Sequence, residues 1–205
     1  MIVSLFHRIY YYNKERTYGN TYWQGIPLLK CPLDLWIYQE IIYEVKPDII
    51  IECGTQEGGS ALYLANILDI IGKGQIVTVD VVEYKNRPKH NRIFYLMGSS
   101  TSIDIFTKIT NIVKNNNTVM VILDSDHTMD HVLQELKLYG DLVSKSSYLI
   151  VEDGNINGHP VEGRWGPGPY EAITTFLAGN DSFTIDRKRE KFYLTMNPNG
   201  YLKKV

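Results

Sequence analysis

Short apolar runs alternate with segments of helical periodicity along most of this chain. Ile49–Ile51 and Val119–Leu123 are continuous β-branched and apolar runs, which is typical of strands buried on both faces of a parallel sheet. Between such runs, apolar residues recur at helical spacing, as in Asp130–Leu142. Because strands joined by helices form parallel sheets with right-handed crossovers, the sequence predicts an α/β fold.

The alternation gives an element order for one domain at 33–205. Strands are predicted at 49–51, 76–80, 92–96, 119–123 and 148–151, with a closing hairpin at 183–185 and 192–194. Helices are predicted from an N-cap at Asp34 to Val45, after Ser60 to Leu68, and at 102–113, 130–142 and 169–178. Residues 1–32 have no clear periodicity, and we expect them to form an N-terminal arm.

Composition excludes several classes of protein. The net charge of −2 over 205 residues argues against nucleic acid as a partner. No apolar run approaches the roughly 20 residues of a membrane helix, and the N-terminus lacks the pattern of a secretion signal. Two cysteines, Cys31 and Cys53, imply no disulfide framework. We expect a cytoplasmic protein that acts on small molecules.

Acidic residues stand where the predicted strands end. Glu52, Asp80, Asp124 and the Glu152–Asp153 pair each follow or close an apolar run. In open α/β sheets, ligands bind outside the carboxyl ends of the strands. The sequence therefore predicts a ligand site at this edge of the sheet.

The loop after the first strand indicates one part of the ligand. Residues 52–60 are rich in glycine, but Gln56 stands where a dinucleotide-binding loop needs its second glycine, and no phosphate-loop Lys follows. Such a loop suits an adenosine without a phosphate; a plain tight turn is the alternative. Asp80 is placed to accept hydrogen bonds from ribose hydroxyls.

The segments Asp124–His127 and Glu152–Asp153 predict a metal site. Clustered carboxylates repel one another unless a cation or a proton compensates them, and hard oxygen ligands favour Mg²⁺. His127 could then take a proton from an acceptor hydroxyl. A cluster of salt bridges and helix caps is the alternative. We interpret Trp165–Pro169 as either a lid or a rigid loop, and His131 and His159 as helix-face and loop residues.

These segments together resemble the cephalosporin hydroxylase / rhamnosyl O-methyltransferase family, a branch of the class I S-adenosylmethionine (SAM) methyltransferases. The resemblance covers about residues 20–195 and lies in 47–55 with 58–60, in 123–127 with 131–132, and in 151–153 with 168–169, with weaker matches at 23–25 and 32–34.

The resemblance implies a Rossmann-like fold with a mostly parallel seven-stranded sheet and helices on both faces. It implies an Mg²⁺-dependent O-methyltransferase that acts on a small-molecule or glycan acceptor, a hydroxyl of a sugar or small diol, and that forms a homo-oligomer. Catalysis is assigned to His127 and Asp124, and metal binding to Asp124, Glu152 and Asp153. SAM binding is assigned to Glu52, Gly54, Thr55, Gly58, Ser60, Asp80, Ser99 and Asp124.

Hydroxylation is not expected from this chain. A non-haem iron oxygenase needs two His and one carboxylate around its metal, whereas His127 is followed by Thr128 and Met129 rather than by an acid at the second position. Two other classes of protein stay open: a non-catalytic SAM-binding protein, and a metal-dependent hydrolase that uses the carboxylate cluster.

Overall fold

A seven-stranded sheet organises the molecule. The structure, a computed structural model, describes residues 1–15, 17–113 and 117–205. The strand order is β5-β4-β3-β6-β7-β9-β8, in which the first five strands are parallel and β9 is antiparallel to both its neighbours. The strands of this sheet are β3 (Ile49–Cys53), β4 (Gln75–Asp80), β5 (Ile93–Met97), β6 (Val119–Leu123), β7 (Tyr148–Val151), β8 (Phe183–Ile185) and β9 (Tyr201–Lys204).

Helices cover both faces of the sheet, and a two-stranded ribbon precedes it. The ribbon pairs β1 (Tyr22–Trp23) with β2 (Ile26–Pro27). The helices are α1 (Ile2–Tyr12), α2 (Pro32–Val45), α3 (Gly59–Ile71), α4 (Ile103–Ile112), α5 (Met129–Gly140) and α6 (Pro169–Ala178). One core cluster packs α4, α5 and α6 on the sheet, and another packs α2 and α3 on its opposite face. The predicted α/β class and sheet are confirmed.

The strand order reverses between β3 and β6. Cys53 at the end of β3 pairs with Val79 on one side and with Leu123 on the other. The loops that follow β3, β4 and β6 therefore start side by side at one edge of the sheet. In open α/β sheets this switch point is where ligands bind.

Three local predictions are wrong. Residues 2–12 form a helix, although we found no periodicity before residue 33; its apolar residues Ile2, Leu5, Phe6 and Ile9 do recur at helical spacing, but they face solvent, and His7 is the buried residue of this helix. The strand that pairs with β8 is β9 at 201–204, not 192–194. Leu194 instead packs on Cys31 in a small cluster.

Asp34 is the third correction. Helix α2 begins at Pro32 with Cys31 in the cap position, and the Asp34 side chain makes no cap. Its buried carboxylate accepts hydrogen bonds from Thr195 Oγ1 at 2.5 Å and Tyr201 OH at 2.8 Å. A local helix signal was thus overridden by contacts across more than 160 residues.

Over the described ranges, the helices are too short or too polar to cross a membrane.

Candidate active site

A cavity of about 490 Å³ opens at the carboxyl edge of the sheet. The loops after β3, β4, β5, β6 and β7 form most of it, and Tyr11, Tyr18 and Leu29 close one side. Its lining includes Tyr11, Tyr18, Leu29, Gly54, Gln56, Asp80, Ser99, Ser100, Asp124, His127, His131, Asp153, Ile156 and Trp165. The site predicted at this edge therefore has room for a ligand between polar and aromatic walls.

Gly54 lets the first loop lie directly against the loop after β6. Its φ is +97°, and a Cβ at this position would stand 1.9 Å from the carbonyl oxygen of Asp124. Only glycine satisfies both conditions, because a positive φ strains other residues and no side chain fits that gap. This contact brings the predicted cofactor loop next to the predicted metal ligands.

Asp80 fixes the shape of the first loop from the neighbouring strand. Its Oδ2 accepts hydrogen bonds from the backbone N–H of Thr55 at 3.0 Å and of Gln56 at 2.7 Å, and its Oδ1 accepts one from Val82 at 2.9 Å. A carboxylate has about four lone-pair sites. Asp80 therefore retains acceptor capacity toward the cavity, which it lines.

The eight residues predicted to bind cofactor divide into two groups. Gly54, Asp80, Ser99 and Asp124 line the cavity. The other four lie behind the cavity wall; they are Glu52, Thr55, Gly58 and Ser60. The Glu52 carboxylate is fully buried and accepts a hydrogen bond from Thr78 Oγ1 at 2.6 Å. Burial raises the pKa of Glu52, and its polar contacts hold the loop from beneath.

Asp124, His127 and Asp153 converge at the other end of the cavity. One donor atom from each lies within 4.8 Å of the others, a spacing that a single metal ion could bridge. His127 Nε2 lies 3.1 Å from Asp153 Oδ2. Two carboxylates with open cavity beside them suit a hard divalent cation that keeps positions for other oxygens. The donor set therefore fits the predicted metal.

Glu152 is held by a residue that the sequence reasoning missed. Lys30 Nζ lies 2.6 Å from Glu152 Oε1 and 2.6 Å from Asp124 Oδ2. Lys30 is only 5% exposed. It precedes Cys31 in the arm, with no motif around it. The one available signal was the excess of acids predicted at this edge, which favours a compensating cation or proton nearby.

Charge and burial have opposite effects on the pKa of Lys30, which contacts Asp124 and Glu152. Burial disfavours the charged form of Lys30, but Asp124 and Glu152 outweigh it and raise the pKa of Lys30 above its ordinary value. Burial and the charge of Asp124 raise the pKa of Glu152, while Lys30 opposes the rise. The ammonium group is therefore a permanent positive charge inside the acidic site.

His131 lies at the cavity wall, although it belongs to helix α5 as expected. Its Nε2 lies 3.1 Å from both Ser100 Oγ and Ser125 Oγ. Ser125 in turn donates to the buried Glu135 Oε1 at 2.7 Å. The hydrogen bond with Glu135 raises the pKa of His131. His159 lies outside the cavity lining and stacks on Tyr170.

The arm and the loop after β7 pack on each other beside the metal-ligand candidates. Asn155 lies 3.0 Å from the buried His7, and the Tyr12 hydroxyl accepts a hydrogen bond from the Glu162 backbone. Trp165 Nε1 donates to the backbone oxygen of His127 at 3.1 Å. The loop that we interpreted as a lid or a rigid element thus forms a wall, tied to both the arm and the site.

The seven-stranded, mostly parallel sheet with its cavity at the switch point is the class I SAM methyltransferase fold. A CmcI structure with Mg and SAM has a TM-score of 0.69 at 20% identity, and the match covers 91% of this chain and 77% of that one. An O-methyltransferase from Bacillus cereus in complex with S-adenosylhomocysteine (SAH) has a TM-score of 0.58 at 16% identity, over 85% of this chain and 81% of that one.

Residues 15–205 match the family described as Rhamnosyl O-methyltransferase/CmcI, and the chain belongs to this family. The rhamnosyl O-methyltransferase of Mycobacterium tuberculosis is 43% identical over 212 residues, covering 98% of this chain and 84% of that protein. Its Mycobacterium leprae counterpart is 39% identical over 209 residues, covering 98% and 90%. The chain is a SAM-dependent O-methyltransferase, and this decides against the non-catalytic and hydrolase alternatives.

Proposed function

We propose that this enzyme transfers the methyl group of SAM to a hydroxyl of a sugar-containing small molecule or glycan, with Mg²⁺ bound beside that hydroxyl. The observation that carries the proposal is the pairing, in one cavity, of an adenosine-type loop with the converging Asp124, His127 and Asp153. The curated relatives are rhamnosyl O-methyltransferases, which supports a sugar acceptor.

The cofactor belongs in the half of the cavity formed after β3, β4 and β5. Gly54 and Gln56 present backbone close to the cavity, and Asp80 and Ser99 present oxygen acceptors and a donor there. Four further residues support this half indirectly, because they are buried and shape the loop; they are Glu52, Thr55, Gly58 and Ser60. The CmcI and Bacillus cereus structures hold SAM and SAH respectively, which supports this assignment.

The metal belongs in the other half, on Asp124 and Asp153. Bound there, Mg²⁺ would supply a Lewis acid for the oxygen that loses its proton. Glu152 completes the acidic set behind these two ligands, where Lys30 holds it. Because Mg²⁺ prefers oxygen ligands, we assign His127 to proton removal rather than to the metal.

His127 is oriented for that task. Asp153 Oδ2 lies 3.1 Å from its Nε2, so the carboxylate fixes the ring and stabilises the positive charge that forms when the imidazole takes a proton. The backbone oxygen of His127 accepts the Trp165 indole N–H. The residue is therefore held at both its side chain and its main chain.

The acceptor belongs between the arm and the loop after β7. Tyr11 and Tyr18 stack with ring centroids 4.6 Å apart and line the cavity, as Trp165 does. Flat aromatic faces with polar tips suit a sugar ring, which has both apolar C–H faces and hydroxyls. We propose that residues 1–32 are an arm that covers the acceptor on the domain at 33–205.

Two further expectations are part of the proposal. A homo-oligomer is supported by the outward apolar residues of α1, Ile2, Leu5, Phe6 and Ile9; light scattering after gel filtration tests it. A cytoplasmic location is supported by the free, buried Cys31 and Cys53, which need no oxidising compartment.

Calorimetric titration with SAH, with and without Mg²⁺, followed by a transfer assay, tests the function. We expect micromolar SAH binding and methyl transfer from SAM to an aryl rhamnoside that stops when EDTA removes the metal. Absence of SAH binding in both conditions would refute the cofactor assignment. SAH binding with transfer only to a catechol, and to no glycoside, would refute the sugar acceptor alone.

A further inference from the structure

Lys30 lies inside the acidic site, although its sequence position is remote from the acids. Its ammonium group contacts Asp124 and Glu152, which are 94 and 122 residues away, at 2.6 Å each. Glu52 is a third acidic residue whose charge favours the protonated form of Lys30. Throughout the part of the chain that the structure describes, no other Lys or Arg forms an ion pair with Asp124, Glu152 or Asp153.

This placement has an energetic consequence for the protein without metal. An uncompensated buried carboxylate is strongly destabilising, and removing one partner of a buried ion pair costs about 3–5 kcal/mol. Glu152 and Lys30 are both more than nine-tenths buried. The folded chain thus needs a positive charge at this place whether or not a metal is bound.

We propose that Lys30 is the resident counter-ion of the metal-binding centre, a built-in cation that shares Asp124 with the divalent metal. This inference rests on the metal assignment of the proposed function. With Lys30 in place, the acidic cluster is folded and compensated before metal binds. Two cations that share one carboxylate oppose each other, so Lys30 also moderates the affinity for the metal.

The arm carries this charge into the site. The backbone oxygen of Leu28 accepts a hydrogen bond from Thr21 Oγ1 at 2.6 Å, and its N–H donates to the Thr21 oxygen at 2.9 Å. These bonds fix the chain two residues before Lys30, and helix α2 begins two residues after it at Pro32. Lys30 is therefore a positioning residue held on both sides, not a surface lysine that reached an acid by chance.

Mn²⁺ binding and metal-free stability of four variants test the proposal. The variants are Lys30→Met, Glu152→Gln, the double variant with both changes, and Lys73→Met as a control, since Lys73 forms an exposed pair with Asp48. Mn²⁺ affinity is measured by electron paramagnetic resonance, and melting temperature is measured in EDTA and in Mg²⁺.

The variants are expected to differ as follows. Lys30→Met binds Mn²⁺ about tenfold more tightly than the wild type, within the usual range of coupling between two sites. Its melting temperature in EDTA falls by about 10 °C or more, since several kcal/mol are lost, and Mg²⁺ raises it more than it raises that of the wild type. The double variant recovers much of the loss in EDTA, because the buried Glu152 no longer carries an unpaired charge and only the partly exposed Asp124 has lost its cation. Lys73→Met changes neither quantity.

The outcomes separate this inference from the metal assignment. Unchanged or weaker Mn²⁺ binding in Lys30→Met would overturn the counter-ion role. A double variant as unstable in EDTA as Lys30→Met would also overturn the counter-ion role. This comparison remains decisive if Lys30→Met alone does not fold. A wild-type protein that binds no Mn²⁺ at millimolar concentration would refute the metal assignment itself, and with it the sharing of Asp124.

Discussion

The two halves of the cavity are built in different ways. The cofactor half consists of loops that follow β3, β4 and β5, and its shape depends on backbone positions such as Gly54 and on backbone hydrogen bonds to Asp80. The metal half consists of charged side chains, and Lys30 joins it from the arm. The cofactor half thus depends on backbone shape, and the metal half depends on charge balance.

This difference predicts how each half fails. A substitution in the cofactor half acts through steric conflict and moves cofactor affinity and stability together. A substitution in the metal half acts through charge: it changes the charge that the reaction needs, and at Lys30 also the charge balance that stabilises the fold. The following experiments test that division.

Asp124→Ala is expected to have the largest effect. Loss of this carboxylate removes a metal ligand, and a metal-stabilised oxygen contributes several kcal/mol, so methyl transfer should fall about a thousandfold or more. SAH affinity, measured by calorimetry, should fall far less than the rate. Asp130→Ala, at an exposed position in α5, is the matched control. A fully active Asp124→Ala enzyme would contradict the metal role.

His127→Ala comes next. General-base catalysis contributes on the order of 10²–10⁴-fold, so we expect kcat to fall at least a hundredfold while the dissociation constants of SAH and Mn²⁺ stay within a few-fold. Rising pH should restore part of the rate, since hydroxide replaces the base. His159→Ala, outside the cavity lining, is the control. If weaker Mn²⁺ binding explains the whole loss of rate, His127 is a metal ligand and not the base.

Gly54→Ala tests the cofactor half. The new Cβ meets the Asp124 carbonyl, and the positive φ adds strain of about 1–2 kcal/mol. We expect weaker SAH binding, about tenfold or more, together with a lower melting temperature. Gly72→Ala has the same kind of strain at φ +84° but open space around it, so it isolates the steric part. Equal effects of the two variants would show that close approach is unimportant.

The smallest expected effect concerns the arm. Burial lowers the pKa of His7 to about 4 from 6.5, so the folded protein holds this imidazole neutral. Because the detached state binds the proton first, the docking energy is present above about pH 6.5 and is lost as pH falls toward 4. The protection factor of the α1 amides, which is the exchange rate of the unstructured peptide divided by that of the protein at the same pH, should therefore fall between those values, while β3 stays protected.

A His7→Gln variant should show no such pH dependence, because it keeps a polar side chain near Asn155 but does not titrate in this range. If the protection factors of the α1 amides in the wild type are the same from pH 7.5 to 5, the docking of the arm does not depend on His7.

The repeating part of the fold was accessible from sequence. The bounds of β6, β7 and α6 agree with prediction to the residue, since each is a run whose periodicity and flanking residues are local. Strand β9 was missed for the opposite reason, because it is defined by its partners β7 and β8 rather than by its own short sequence. The helical spacing of Ile2, Leu5, Phe6 and Ile9 in α1 is local too, and it was overlooked.

The same difference between local patterns and contacts made only in the folded chain applies to the site. The sequence by itself determined the α/β alternation, the acids at the strand ends and the glycine-bearing loop, because each depends on residues adjacent in the chain. Only the tertiary structure decided that Lys30 stands between Asp124 and Glu152, that Asp34 anchors the C-terminal segment, and that Tyr11 faces the cavity. Buried charges select their partners by distance in space, and no local pattern records that distance.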